Sequence, residues 1–415
     1  MKTKTIPYSA QWITPDDVKA VQRAMTSPFL SQGPEVRRFE EAVARYCGAK
    51  FAVAVSSGTA ALHLACRSAG VGPESEVITS PLTFLATANA ILYCGGKPVF
   101  ADIDRVTCNM DLGLVERAVT EKTKGIIPVH FAGLSVDMKR LSSIAREAGL
   151  LVIEDAAHAL GGRYQGAPIG SCRYSDMTIF SFHPVKSITT AEGGMITTNS
   201  PNLYAKLQQL RNHGNVRNPE QWQDKGLGGA GDGGYPWYYE MQDLGFNYRL
   251  SDLQCALGSS QLKRLDAFIE RRNEIAGHYY NNFQDLLDNV TLPNSATAHA
   301  KDSRSAWHLY PVLLKPESLT ASRAQIVLSL RKMGLEAHVH YLPVFLHPYY
   351  RALGYAATLC PNASWYYERV VSLPLYPKMT NGDVNKVIEA FRKIILKSRK
   401  GARLTANSNQ PAVSY

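Results

Sequence analysis

The chain has 415 residues, more than the roughly 300 at which a single hydrophobic core stops growing, so at least two domains are expected. With 45% apolar and 19% charged residues, and 13 Phe, 21 Tyr and 5 Trp to fill a core, the disordered and fibrous classes are excluded. The formal net charge is +10, but six basic residues (Arg392, Lys393, Lys397, Arg399, Lys400 and Arg403) stand in one terminal run without an acid; removing them leaves +4, which does not call for nucleic acid.

No apolar stretch approaches the roughly 20 residues that span a bilayer, and Met1–Ala10 lacks the apolar segment of a secretion signal. A cytoplasmic protein without a membrane partner is expected. The seven cysteines agree: they are odd in number, scattered, and without a Cys-x-x-Cys pair, so neither a disulfide framework nor a zinc site is expected.

From Phe51 onward, short β-branched runs alternate with amphipathic segments, as in an α/β sheet with helical crossovers. Strands are predicted at Phe51–Val55, Glu76–Ser80, Lys97–Ala101, Lys124–Val129 and Leu150–Glu154, with helices such as Thr59–Ala69 and Val136–Ala148 between them. Met177–Phe182 and Gly194–Thr198 add two strands joined by a loop too short for a helical crossover, which predicts an antiparallel member. Asn218–Asp243, rich in Gly, Trp and Tyr and without a period, reads as a long loop. Its Gly226, Gly228 and Gly231 satisfy G-x-G-x-x-G, but no strand precedes them and Pro236 follows where a helix is required. A long helix is expected over Ser251–Asn273, then a smaller α/β unit from Trp307–Leu314 through Ala337–Tyr341. The expected domains are 1–262, 263–396 and a basic, solvated tail at 397–415.

Three places carry chemistry. The strand ending at Val55 runs into Ser56-Ser57-Gly58-Thr59 and then a helix former run; a helix N-terminus with unpaired N–H groups and a glycine suits a phosphate, or is an ordinary cap. In Val152-Ile-Glu-Asp155-Ala-Ala-His158 a carboxylate stands at the carboxyl end of a buried strand, the edge where open α/β sheets bind ligands; it seeks a cationic ligand, or forms a structural salt bridge. Lys186 lies in an apolar, hydroxyl-rich turn between two strands, where burial would lower its pKa and suit its amine to condense with a carbonyl; the alternative is a surface lysine. Together, an anion-binding helix start, an acid at a strand mouth and a lysine are the parts that a pyridoxal 5'-phosphate (PLP) site requires.

Eight segments carry a further resemblance in order along nearly the whole chain. They are Leu30-Ser-Gln-Gly33-Pro34, Ser57-Gly-Thr59-Ala-Ala-Leu62, Thr83-Phe84-Leu-Ala-Thr87-Ala-Asn89, Glu154-Asp-Ala-Ala-His158-Ala-Leu-Gly161, Ser181-Phe-His-Pro-Val-Lys186, Arg211-Asn-His213-Gly214, Gly245-Phe-Asn247-Tyr-Arg249 and His340-Tyr341-Leu-Pro343. The sequence resembles the DegT family of nucleotide-sugar aminotransferases. That likeness implies the PLP-dependent transferase fold type I (aspartate aminotransferase-like), a large mostly parallel sheet domain plus a smaller C-terminal α/β domain. Pro236-Trp-Tyr-Tyr-Glu240-Met-Gln and Ile188-Thr-Thr-Ala-Glu192-Gly-Gly194 are most like the group that makes UDP-4-amino-4,6-dideoxy-N-acetyl-β-L-altrosamine for pseudaminic acid. The glycine-rich insertion and the basic tail depart from that group.

The resemblance further implies that Lys186 joins the cofactor and shuttles the proton, and that Asp155 pairs with the pyridine nitrogen. Phe84 would stack on the ring and His158 lie near its hydroxyl. Gly58, Thr59, Ser181 and a partner subunit's Asn247 would hold the phosphate, making an obligate homodimer with shared sites. For the substrate, His213, Arg249, His340 and Tyr341 are the expected contacts. His338 and His340 share a face of a predicted strand, but no acid or cysteine completes a metal site and no metal is expected. The implied reaction moves the amino group of L-glutamate to C4 of a UDP-4-keto-6-deoxy-N-acetylhexosamine; the alternatives are C3 amination or another UDP- or dTDP-keto sugar. Lys186 argues against the family's dehydratases, in which histidine replaces it. A nicotinamide oxidoreductase would need a glycine fingerprint after an early strand, and a regulatory relative would lose the lysine or the acid.

Overall fold

The computed structural model describes residues 5–229, 234–293 and 302–400. Its centre is a seven-stranded sheet built from β1 (Phe51–Val55), β2 (Glu76–Thr79), β3 (Lys97–Phe100), β4 (Thr123–Ile127), β5 (Leu151–Asp155), β8 (Met177–Ser181) and β9 (Gly194–Thr198), in the order β1-β9-β8-β5-β4-β2-β3. A two-residue hairpin, β6 (Arg163–Tyr164) with β7 (Ala167–Pro168), interrupts the chain between β5 and β8. Only β9 runs antiparallel to its neighbours β1 and β8, as the short β8–β9 connection requires. Every residue of β9 and all but the first of β1 and β5 are buried, which is why these strands read as apolar runs without alternation. The carboxyl ends of β1, β2, β5 and β8 therefore share one edge of the sheet.

Helix α3 (Gly58–Ser68) follows β1 directly, capped by the Ser57 side chain, which accepts from the Ala60 N–H at 3.0 Å and contributes about 1 kcal/mol. The predicted single helix over Ser251–Asn273 is two: Asp252–Leu262 and Leu265–Asn282. The break has a tertiary cause. The Arg264 guanidinium turns to Asp17 at 2.5 Å and to the Trp12 carbonyl at 3.0 Å, while Gln261 donates to the same carboxylate at 2.8 Å.

Beyond Leu265 a three-stranded antiparallel sheet, β12 (Val290–Thr291), β13 (Tyr310–Leu314) and β14 (Val370–Leu373), packs with helices Arg323–Lys332 and Asn381–Lys397 around Tyr279, Phe283, Val312 and Phe391. Ile6, near the start of the chain, joins this second core and bridges Leu335. Ala337–Tyr341, expected to continue the α/β unit, forms no strand. His338 makes a single bridge to Ser372, and the Tyr366 hydroxyl then takes the His340 carbonyl at 3.1 Å. Asn218–Asp243 holds a short 3-10 turn at Pro219–Gln221 and ends in β11 (Glu240–Met241), which pairs with β10 (Asn215–Val216). Gly231 of the glycine pattern lies outside the described residues. At the other end, Arg392 pairs with Asp285, Arg399 donates to Asn289 at 2.6 Å and Lys400 to the Glu317 carbonyl at 2.9 Å; the rest of the basic tail, 401–415, lies outside the described residues. Among the described residues no helix is long and apolar enough to cross a membrane.

Candidate active site

A cavity of about 410 Å³ opens at the shared carboxyl edge of β1, β2, β5 and β8, closed on one side by Tyr8 and His340–Tyr341. It brings together Gly58, Thr59, Phe84, Asp155, His158, Ser181, Lys186, His340 and Tyr341, nine of the residues singled out from sequence.

Lys186 stands on the β8–β9 connection, a tight loop pinned at both ends by the Phe182 N–H to the Gly193 carbonyl at 2.9 Å and the Thr190 N–H to the Phe182 carbonyl at 3.0 Å. The surrounding protein removes solvent from its amine and lowers its pKa to about 8, opposed by the Asp155 charge and reinforced by the Arg272 guanidinium. At that pKa about a tenth of the amine is unprotonated at pH 7, far more than for an ordinary lysine, and the unprotonated form is what attack on a carbonyl requires.

Asp155 ends β5 and is 5% exposed. Its Oδ2 accepts from the Thr87 hydroxyl at 2.6 Å and its Oδ1 from the Ala157 N–H at 3.1 Å. The adjacent Glu154 serves structure instead: it pairs with His130 at 2.7 Å and accepts from the Ser175 and Thr178 hydroxyls, and these bonds hold its pKa down against the burial that would raise it. Among the described residues no ion pair within 4 Å reaches Asp155; the nearest cation to act on its charge is the Lys186 amine, at longer range.

The start of α3 completes a cradle. Its first N–H groups have no intrahelical acceptors and carry the positive end of the helix dipole. A Cβ at Gly58 would lie 2.8 Å from the Ser181 Cβ, so only glycine lets the helix start approach the end of β8. A phosphate set between Gly58–Thr59 and Ser181, a cationic ring nitrogen at Asp155 and a carbonyl at Lys186 fit the residues present, and this is the set of groups that pyridoxal phosphate carries.

Burial and the nearby Lys186 amine push His158 well below its usual range, and burial with His338 pushes His340 down to about 3. His158 Nε2 lies 3.2 Å from the Tyr341 hydroxyl. Phe84 is 58% exposed, its ring 6.4 Å from that of Tyr341 across the cavity mouth.

Sequence reasoning missed Tyr8, whose ring lies 4.7 Å from His338 and 5.2 Å from His340; nothing local marks it, and more than 300 residues separate it from its partners. Thr87 stood in a quoted segment without a role, and Glu192 likewise lines the cavity. His213, Asn247 and Arg249 do not line this chain's own cavity. They form a separate knot in which the His213 N–H donates to the Phe246 carbonyl at 2.9 Å, Asn212 bridges Asn247, and Arg249 donates to Asn212 at 2.5 Å.

Residues 11–392 match the DegT/DnrJ/EryC1/StrS aminotransferase family. The chain belongs to that family. It is 44% identical over 392 residues to the spore coat polysaccharide biosynthesis protein SpsC of Bacillus subtilis, covering 94% of this chain and 97% of SpsC. Its fold is similar to that of Helicobacter pylori PseC, described as an aminotransferase involved in the biosynthesis of pseudoaminic acid, with TM-score 0.85, 32% identity, and coverage of 95% and 100%. The PLP form of a sugar aminotransferase homologue, Spr1654 of Streptococcus pneumoniae, matches with TM-score 0.85 and 31% identity over 95% of this chain and 99% of that one. This chain is a sugar aminotransferase of fold type I that uses pyridoxal phosphate.

Proposed function

We propose that the enzyme transfers the amino group of L-glutamate to C4 of a UDP-4-keto-6-deoxy-N-acetylhexosamine, giving UDP-4-amino-4,6-dideoxy-N-acetyl-β-L-altrosamine, as a homodimer in the cytoplasm. The observation that carries the chemistry is the convergence of Lys186, Asp155 and the Gly58–Thr59 helix start on one cavity. The choice of sugar is supported by the likeness to PseC and by the two segments around Glu192 and Glu240.

In this reading Gly58, Thr59 and Ser181 hold the phosphate, Asp155 the ring nitrogen, Phe84 and His158 the ring, and Lys186 the carbonyl. The bound cofactor supplies an electron sink and carries nitrogen from one substrate to the other. Asp155 keeps the ring nitrogen protonated, its two oxygens already oriented by Thr87 and Ala157. Lys186 takes the α-proton from glutamate and, in the second half reaction, delivers a proton to C4 of the sugar; a pKa of about 8 lets one amine do both. Tyr8, His340 and Tyr341 wall one side of the cavity and shield these transfers from water there.

The partner subunit is assigned Asn247, with His213 and Arg249, because these sit in a knot away from their own chain's cavity. The run between His213 and Asn247 also exposes Leu227, Trp237, Met241 and Leu244, apolar area suited to a subunit contact. SpsC supports a second reading, another keto sugar destined for a surface polysaccharide. Incubating the enzyme with glutamate and a panel of UDP- and dTDP-4-keto sugars, with product mass and NMR, decides between them. Amination only of dTDP sugars, or at C3, would overturn the proposal.

A further inference from the structure

His308 does not line the cavity, yet its ring centroid lies 4.2 Å from that of His158, tilted by 34°. It is 3% exposed, and the approach is built into the backbone. The His308 N–H donates to the Ala132 carbonyl at 2.8 Å and the Ala306 N–H to the Gly133 carbonyl at 3.1 Å. Gly133 has φ +100°, and a Cβ there would stand 2.7 Å from the Trp307 nitrogen and 3.1 Å from the His158 carbonyl oxygen. From the other side the buried Arg272 donates to the Trp307 carbonyl at 3.1 Å and the Leu375 carbonyl at 3.0 Å. The segment that carries His308 is therefore clamped against His158 from two sides.

We propose that His308 is a positioning residue for transamination, its flat ring fixing the plane of the His158 imidazole and, through it, the Tyr341 hydroxyl at the cavity wall. Among the described residues the Nδ1 atoms of His158 and His308 both lack a hydrogen-bond partner, and what passes between the tilted rings is van der Waals contact and not a hydrogen bond. A histidine χ2 torsion is soft, and among the described residues the one hydrogen bond to the His158 ring comes from Tyr341, which alone leaves the ring free to rock. A planar neighbour at 4.2 Å removes that freedom. The titratable and charged groups facing the pair are Lys186, Tyr341, His340 and Arg272; burial first, then the Lys186 amine and, for His308, the Arg272 guanidinium, push both imidazoles well below their usual range, which favours the uncharged rings that can approach this closely.

The inference rests on Lys186 as the cofactor-binding amine. Its test uses the holoenzyme and three variants: His308→Leu and His308→Gln, which remove the flat ring, and His308→Phe, which keeps it. For His308→Leu and His308→Gln we expect kcat to fall about tenfold with KM for the keto sugar within about twofold, the signature of lost positioning in place of lost binding. The pH titration of the bound cofactor's visible absorbance should shift as well, and His308→Phe should restore both. Wild-type kcat and titration in His308→Gln would overturn the proposal, as would a His308→Phe variant as impaired as His308→Gln. If His308→Leu does not fold, the Gln and Phe variants still decide. Failure of the Lys186 reading looks different: borohydride would then fix no cofactor to Lys186 in the wild-type enzyme.

Discussion

Thr87 and Asp155 are joined by a 2.6 Å hydrogen bond across 68 positions of sequence. The Thr87 hydroxyl also lies 2.7 Å from that of Thr83, so a short hydroxyl chain leads to the carboxylate at the mouth of β5. A bond to a charged group is worth about 1.5–3 kcal/mol, and here its work is to aim Oδ2. Thr87→Val should lower kcat by about 10- to 100-fold while the chain still folds and binds cofactor. Steady-state kinetics with a cofactor titration checks this; an unchanged kcat would show that Ala157 alone orients the acid.

Lys186→Ala should leave the fold intact and abolish transamination, because it removes the amine proposed both to hold the cofactor carbonyl and to move the proton. Loss of a general base costs about 10² to 10⁴ in rate. The visible band of lysine-bound cofactor should vanish with it, and turnover at the wild-type rate would remove the central assignment.

Asp155→Asn should bind cofactor yet turn over far more slowly, since an amide cannot hold a proton on the ring nitrogen as a carboxylate does. Single-turnover kinetics with glutamate reads this directly. A near-normal rate would make the acid at the strand mouth structural.

The Lys186 amine should show its lowered pKa in the apoenzyme. Only the unprotonated amine attacks an aldehyde, so its condensation rate with pyridoxal should rise with pH and level off above about 8, where an ordinary lysine would still be climbing toward its usual value of 10.5. The sign for stability follows. Between those two values the folded chain holds fewer protons than the unfolded one, so this group's contribution to stability rises with pH across the window. A midpoint near 10 would mean that the amine is solvated.

If Asn247 serves the neighbouring subunit, each site is composite. Coexpressing Lys186→Ala with Asn247→Ala should then form mixed dimers in which one site carries neither lesion, and activity should reappear although each parent is impaired. Light scattering supplies an independent check: a fully active monomer at micromolar concentration would rule the shared site out.

Much of the site was legible because its parts are local. Ser57-Gly58-Thr59 follows a buried strand directly, Asp155 ends another, and Lys186 sits in a turn between two more, so apolar runs and the residue types at their ends were enough to mark a helix start, an acid at a strand mouth and a lysine turn, which the fold then brings to one cavity. The resemblance to the family rests on the same short segments. What only the tertiary structure decided involves partners far apart in sequence. The helix expected through Ser251–Asn273 breaks where Arg264 turns to Asp17, a pull that its own strong helix formers do not record. His338 and His340 alternate like strand residues, yet one bridge to Ser372 is all the pairing His338 finds before Tyr366 claims the next carbonyl along that face. Tyr8 at the cavity wall, Thr87 beneath Asp155 and His308 behind His158 leave no periodic mark, because burial, orientation and hydrogen bonding at each depend on which distant backbone the fold brings alongside.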